Sequence, residues 1–132
     1  MNNSALSIRL LLACLAAIAL AACAGEVPRQ KTQWQAVGGS SAEIELTDAV
    51  LLEPSTGYTR VLARGSRWRE AGRISEGKVY RPINGVLTAE GRHVHEAYLV
   101  LDGGRVVGFY LPVEQAFMAL PPKPINYQNK GN

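Results

Sequence analysis

Cysteine and histidine are scarce in this sequence. Its 132 residues hold two cysteines, Cys14 and Cys23, and two histidines, His93 and His95. So few thiols leave no disulfide framework to read from spacing, and so few imidazoles restrict metal and general-base chemistry. Long apolar runs are missing too. The leucine-rich stretch LLLACLAAIAL at residues 10–20 has eleven residues before small residues take over, whereas a membrane-spanning helix needs roughly 20. Net charge is only +3, too little to suggest nucleic acid as a partner. The serines at 40, 41, 55, 66 and 75 lie in no nucleophile-elbow pattern. No carboxylates are placed by the sequence to converge for acid–base work. The NG, GG and DG steps are turn chemistry and make no phosphate loop. No internal repeat or sustained helical period is present.

What remains is globular in character. Hydrophobic residues make up 47% and charged residues 19%, with 13 Gly and 7 Pro, which excludes disorder over the whole chain and suits one domain. Charge is unevenly spread. Seven of the 14 basic residues fall between Arg60 and Arg81, where Glu70 and Glu76 are the only acids.

The N-terminal residues differ in kind from the rest. A polar stretch ends at Arg9, the short apolar run follows, and then come Ala21, Ala22, Cys23, Ala24 and Gly25. This order is that of a signal peptide. Leu20-Ala21-Ala22-Cys23 resembles the lipobox of bacterial lipoproteins. The resemblance implies that the Cys23 thiol receives a diacylglyceryl group, that signal peptidase II cuts before it, and that the new amino terminus is acylated. One acyl chain binds a bilayer marginally and two or three anchor it firmly. An aspartate after the cysteine commonly signals inner-membrane retention in such lipoproteins. Ala24 occupies that position, so the resemblance implies the outer membrane, on its periplasmic face. The alternative is cleavage at the small-x-small pattern Ala22-Cys23-Ala24, which releases a soluble periplasmic protein. Apart from covalent lipid on Cys23, no cofactor is expected.

The expected organisation is a signal peptide over residues 1–22, a lipidated N-terminus and tether over 23–37, one β-rich domain over 38–121, and a loose tail over 122–132. The tether has no apolar periodicity apart from Trp34, which is placed to dock onto the body. Fully extended, about a dozen residues reach roughly 40 Å at ~3.3–3.6 Å each.

The body reads as short strands between turns. Residues 43–46 alternate, with Ile44 and Leu46 on one side. Continued parity would bury Asp48, so a break is expected there. Residues 67–74 alternate again, with Trp68 inward and Arg67, Arg69 and Arg73 sharing the other face. Glu70 then needs a partner, Arg60 or Arg81. Residues 93–101 and 105–111 flank Asp102-Gly103-Gly104, a strong hairpin signal. That register sets Leu101 against Val106, Leu99 against Gly108 and Tyr98 against Phe109. Pro112, Val113, Ala116, Phe117 and Leu120 have helical placement and spacing. The expected fold is mainly β: a small antiparallel barrel or sandwich of about six short strands with a short C-terminal helix. An α+β roll is the alternative.

Three groups are candidate sites. His93 and His95 share a strand face by spacing and are metal candidates, with Asp48, Glu70 or Glu114 as a third ligand. The alternative is an exposed His93 and a His95 hydrogen-bonded at a sheet edge. Arg67, Arg69 and Arg73 form a face for an anionic partner: lipid headgroups, lipopolysaccharide phosphates or peptidoglycan carboxylates. A solvated face is the plain alternative. Tyr98, Phe109 and Tyr110 could line a groove, though cross-strand aromatics are more often core.

The expected protein is therefore not an enzyme. It is a membrane-anchored envelope lipoprotein that binds an envelope component or assists assembly, similar in kind to small lipoproteins of Gram-negative bacteria. The other expectations are a small metal-binding or enzymatic domain centred on His93 and His95, and an accessory that pairs through an edge strand with a larger envelope protein.

Overall fold

The computed structural model of the chain describes residues 3–4, 25–39 and 41–131. Cys23 and the rest of the lipobox lie outside the described residues. Among the described residues twelve strands follow one another. The N-terminal segment gives β1 (Gln30–Lys31) and β2 (Gln35–Ala36). The body gives β3 (Glu43–Leu46), β4 (Val50–Leu52), β5 (Arg60–Leu62), β6 (Arg67–Ile74), β7 (Gly77–Pro82) and β8 (Leu87–Glu90). Then come β9 (Val94–Asp102), β10 (Arg105–Leu111), β11 (Ala116–Pro124) and β12 (Tyr127–Asn129).

One antiparallel sheet runs β1-β11-β10-β9-β7-β6-β3-β12, with β2 added beside β6 and β8 beside β9; β4 and β5 form a separate hairpin. The sheet does not close into a barrel, and the architecture is sandwich-like. A single core cluster draws side chains from every strand between β3 and β11, including Ile44, Leu52, Trp68, Leu99, Phe109 and Met118. One face of the sheet must therefore wrap around that core. The outer face carries a smaller cluster of Ile74, Val79, Val100, Tyr110 and Phe117, with Trp34 packed against it.

Local sequence explains several of these elements. Gly103 and Gly104 both have positive φ, 58° and 75°, the backbone of a two-residue I′ turn that only glycine adopts without strain. They set Arg105 against Asp102 and Val106 against Leu101. Beyond that point the register differs from the simple count. Gly108 faces Val100, Phe109 faces Leu99 and Tyr110 faces Tyr98, because a bulge at Val107 inserts one residue. Val106 and Phe109 consequently both reach the main core. The expected break near Asp48 is present: β3 ends at Leu46, and Asp48 accepts a hydrogen bond from Asn126 Nδ2 at 3.1 Å.

The expected C-terminal helix is a strand instead. Residues 112–115 turn the chain, and β11 returns along β10 with Met118 and Leu120 inward. Five or six residues of apolar pattern suit either element, and the neighbouring β10 decides for strand. Pro121 and Pro122 fall where β11 and β10 lose regular register, and a bulged edge tolerates prolines that lack an N–H. The tail is not loose either. Ile125 is buried, and β12 pairs with β3 through Tyr127–Leu46 and Asn129–Ile44.

The tether also belongs to the body. Val27 is 3% exposed within the main core, and the Gly25 carbonyl accepts a hydrogen bond from Arg92 N at 3.2 Å. β1 pairs with the edge of β11, and β2 pairs with β6 four strands away. Between them Trp34 crosses the outer face as a strap. Its ring stacks on Tyr110 with centroids 4.7 Å apart and 16° between planes. It also lies over Gly72, where any Cβ would collide with the indole. A 40 Å free tether is therefore replaced by a strap fixed from Gly25 onward.

Candidate functional site

The three arginines do not share a face. A register shift between Glu70 and Gly72 leaves Ala71 as an extra residue in β6. Trp68 therefore joins the main core while Ile74, of the same parity, joins the outer cluster. Arg67 and Arg69 stay together outside, and Arg73 is turned to the opposite side. The two that remain together share one carboxylate. Arg67 Nη2 pairs with Glu43 Oε1, and Arg69 Nη2 lies 3.4 Å from Glu43 Oε2. Glu70 is partnered by neither Arg60, which binds Glu90 and the Thr88 carbonyl, nor an ion pair to Arg81. It faces Tyr80 across the β6–β7 ladder.

Arg73 stands directly opposite Lys78. Like charges at such a position are about 4.5–5.5 Å apart at Cβ and destabilise a sheet by a few tenths of a kcal/mol or more. The same β6–β7 ladder sets Arg69 against Arg81, but there Glu43 binds Arg69. Among the described residues neither Arg73 nor Lys78 forms an ion pair. Both line a cleft of about 460 Å³, with Tyr80, Tyr127 and the Gly103-Gly104 turn. Burial, with Glu70 and Tyr127 nearby, pushes the Tyr80 hydroxyl up to about 12, against the opposing pull of Arg73. The hydroxyl is thus a neutral donor at physiological pH. Two acids also line the cleft. Glu76 already accepts hydrogen bonds from Gln30, Thr32 and Ser75, and Asp102 is the cross-strand partner of Arg105.

The histidines are separated as well. His93 is exposed in the bend before β9, whereas His95 is 9% exposed and points toward the core side. His95 Nδ1 hydrogen-bonds Glu114 Oε1, and Arg29 Nη1 lies 3.5 Å from Nε2. An arginine can only donate, so Nε2 accepts and the ring proton sits on Nδ1, facing the carboxylate. Burial raises the Glu114 carboxyl, but the His95 hydrogen bond, a backbone hydrogen bond and the nearby Arg29 charge bring it below the ordinary glutamate range. Its second oxygen, Oε2, is buried without a hydrogen-bond partner among the described residues. Lys31 Nζ donates to the Glu114 carbonyl at 2.8 Å, and Thr32 N donates to the Gln115 carbonyl at 3.3 Å. The cluster is thus a clasp that joins the strap, β9 and the β10–β11 turn. Among the described residues no group of three or more His, Cys, Asp or Glu side chains gathers to hold a metal. Of the proposed third ligands only Glu114 meets a histidine; Asp48 is engaged with Thr47 and Asn126.

Tyr98 and Tyr110 lie side by side on the outer face, with centroids 6.4 Å apart, while Phe109 is fully buried in the main core. Trp34 covers Tyr110, so these rings make a docking platform for the strap. Nor do the described residues contain a helix long and apolar enough to cross a membrane.

The chain is thus an open antiparallel β body with its own N-terminal strap clasped across it. No family model matches it, and neither a curated protein nor a solved structure does.

Proposed function

We propose that the chain is a non-enzymatic envelope lipoprotein, anchored through lipid on Cys23, that uses the Arg73–Lys78 cleft to hold an anionic group of another envelope component. The observation that carries the binding role is the opposed, ion-pair-free cation pair on a cleft whose buried tyrosine hydroxyl remains a donor. A carboxylate or phosphate placed there bridges two charges that otherwise repel. The Arg67–Arg69 half of the basic stretch has no such role, because Glu43 occupies it. The anchor rests on the lipobox, and the location is the periplasmic side of the outer membrane.

The test uses the mature chain made soluble by Cys23→Ser, sedimented at low salt with purified peptidoglycan and, in parallel, with lipopolysaccharide aggregates. Losing both Arg73 and Lys78 to Gln is expected to weaken binding to one of them about tenfold, at roughly 0.5–1 kcal/mol per exposed charge. Replacing Arg67 and Arg69 is expected to leave binding unchanged. Equal loss from both pairs, or no binding to either material, refutes the reading.

A second reading has its own observation. β12 is the last strand of the open sheet, and its three residues are all exposed. Such an edge can pair with a strand of a larger envelope protein. In-cell crosslinking from position 128 that captures no partner dismisses it.

A further inference from the structure

We infer that the body sits directly on the bilayer by the end at which its chain enters, with Val94 and Val113 at the headgroup–acyl boundary and the Arg73–Lys78 cleft turned away. This rests on the proposed lipid anchor at Cys23. Only Ala24 separates Cys23 from Gly25, whose carbonyl is already held by Arg92 N. A span of two residues reaches about 7 Å. Val27 then plugs the core, and a Cβ on Gly91 would lie 2.8 Å from the Gly25 carbonyl oxygen and 2.9 Å from the Val27 side chain. The acyl chains and the β8–β9 turn are therefore brought to the same level.

That end of the body is suited to a lipid surface. Val94 and Val113 are 64% and 78% exposed, among the most exposed large hydrophobic residues described. One begins β9 and the other lies in the β10–β11 turn. The His95–Glu114 hydrogen bond ties these two segments together, so both valines lie at one end of the sheet. Arg29 and Arg92 are exposed beside them, where cations meet headgroup phosphates while apolar side chains enter the boundary. The opposite end is about 30 Å away, the length of a nine-residue strand such as β9. It carries the Gly103-Gly104 and Ser75-Glu76 turns and the cleft between them. The ligand of that cleft therefore approaches from the side facing away from the anchoring membrane, and headgroups of that membrane do not reach it.

The test uses acylated full-length protein reconstituted into phosphatidylethanolamine–phosphatidylglycerol vesicles. Once Cys23 is lipidated and the leader with Cys14 removed, Val113→Cys or Ser75→Cys supplies the only free thiol. Each is labelled with a small fluorophore and challenged with lipid-borne nitroxide and with aqueous iodide. Lipid-phase quenching at position 113 is expected to exceed that at 75 at least threefold, with the reverse order for iodide. Equal quenching at both positions overturns the seating. Intact mass on the same preparation separates the two failures. An unacylated Cys23 overturns the anchor and the seating together, and acylated protein with a lipid-inaccessible residue 113 overturns the seating alone.

Discussion

Replacing Trp34 with alanine removes the one large side chain that holds the strap to the outer face. The indole stacks on Tyr110 at 4.7 Å and covers Gly72, yet its far side is partly open to solvent. A fully buried Phe or Trp cut to Ala costs about 3–5 kcal/mol. A stacked aromatic pair contributes about 0.5–1.5 kcal/mol beyond its area. Half-burial plus the stack gives an expected loss of about 2–4 kcal/mol. In a domain of this size that is roughly 10–20 °C in Tm. The loss should be local in origin, because the strap adds to a sheet that is otherwise continuous. Hydrogen exchange should therefore speed up at Val37 N, bonded to the Ala71 carbonyl, and at Thr32 N, bonded to the Gln115 carbonyl. Amides of β9 and β10 should accelerate by no more than the loss of global stability and stay the best protected. Trp34→Phe should retain about half the stabilisation. Unchanged exchange at residues 32 and 37 would refute a separately docked strap.

Gly72→Ala should destabilise by at least about 2 kcal/mol, since its methyl collides with the indole. Adding Trp34→Ala should recover part of that loss, and strict additivity in denaturant unfolding contradicts the contact. Glu114→Gln should cost roughly 1.5–2 kcal/mol at pH 7 by weakening a charge-assisted hydrogen bond to His95. The folded Glu114 carboxyl lies below its ordinary value near 4.5, so its contribution is present above that pH and lost as pH falls through the folded value. Parent and variant should then converge in urea melts as pH falls below the folded value, and a gap independent of pH argues against the clasp. Lys78→Glu faces Arg73 with an acid and should gain about 0.5 kcal/mol. The same change should abolish capture of the anionic ligand, and a variant that is more stable yet binds normally removes the cleft from consideration.

Much of the body was legible because turn chemistry and alternation are local. Gly103-Gly104 fixed its hairpin, residues 105–111 became β10, and the break at Asp48 followed from the cost of burying a carboxylate. The bulges at Ala71 and Val107 were not legible, since an extra residue is defined only against the partner strand. That one feature undid the shared face of Arg67, Arg69 and Arg73 and moved Phe109 opposite Leu99. Lys78 was hidden for a related reason. It counts as one more basic residue until the turn at Ser75-Glu76 is used to set it against Arg73. The apolar spacing after Pro112 suited a helix, and only the adjacent β10 made it a strand. Trp34 stood out in the tether, but Val27 did not, because one valine in a polar stretch carries no period. The meeting of Arg29, His95 and Glu114 spans three distant segments and leaves no local trace. Pairing of β12 with β3 is equally non-local.

The proposed anchor holds this body to a membrane by lipid on Cys23, two residues before the first docked backbone group. Intact-mass and N-terminal fragment analysis of the protein extracted from envelope membranes tests it most directly. The expected result is a chain beginning at Cys23, with a diacylglyceryl thioether and an acylated amino terminus, that leaves the membrane fraction when Cys23 is changed to Ser. A mature chain with a free amino terminus and an unmodified Cys23 thiol, recovered in the soluble fraction, would contradict it.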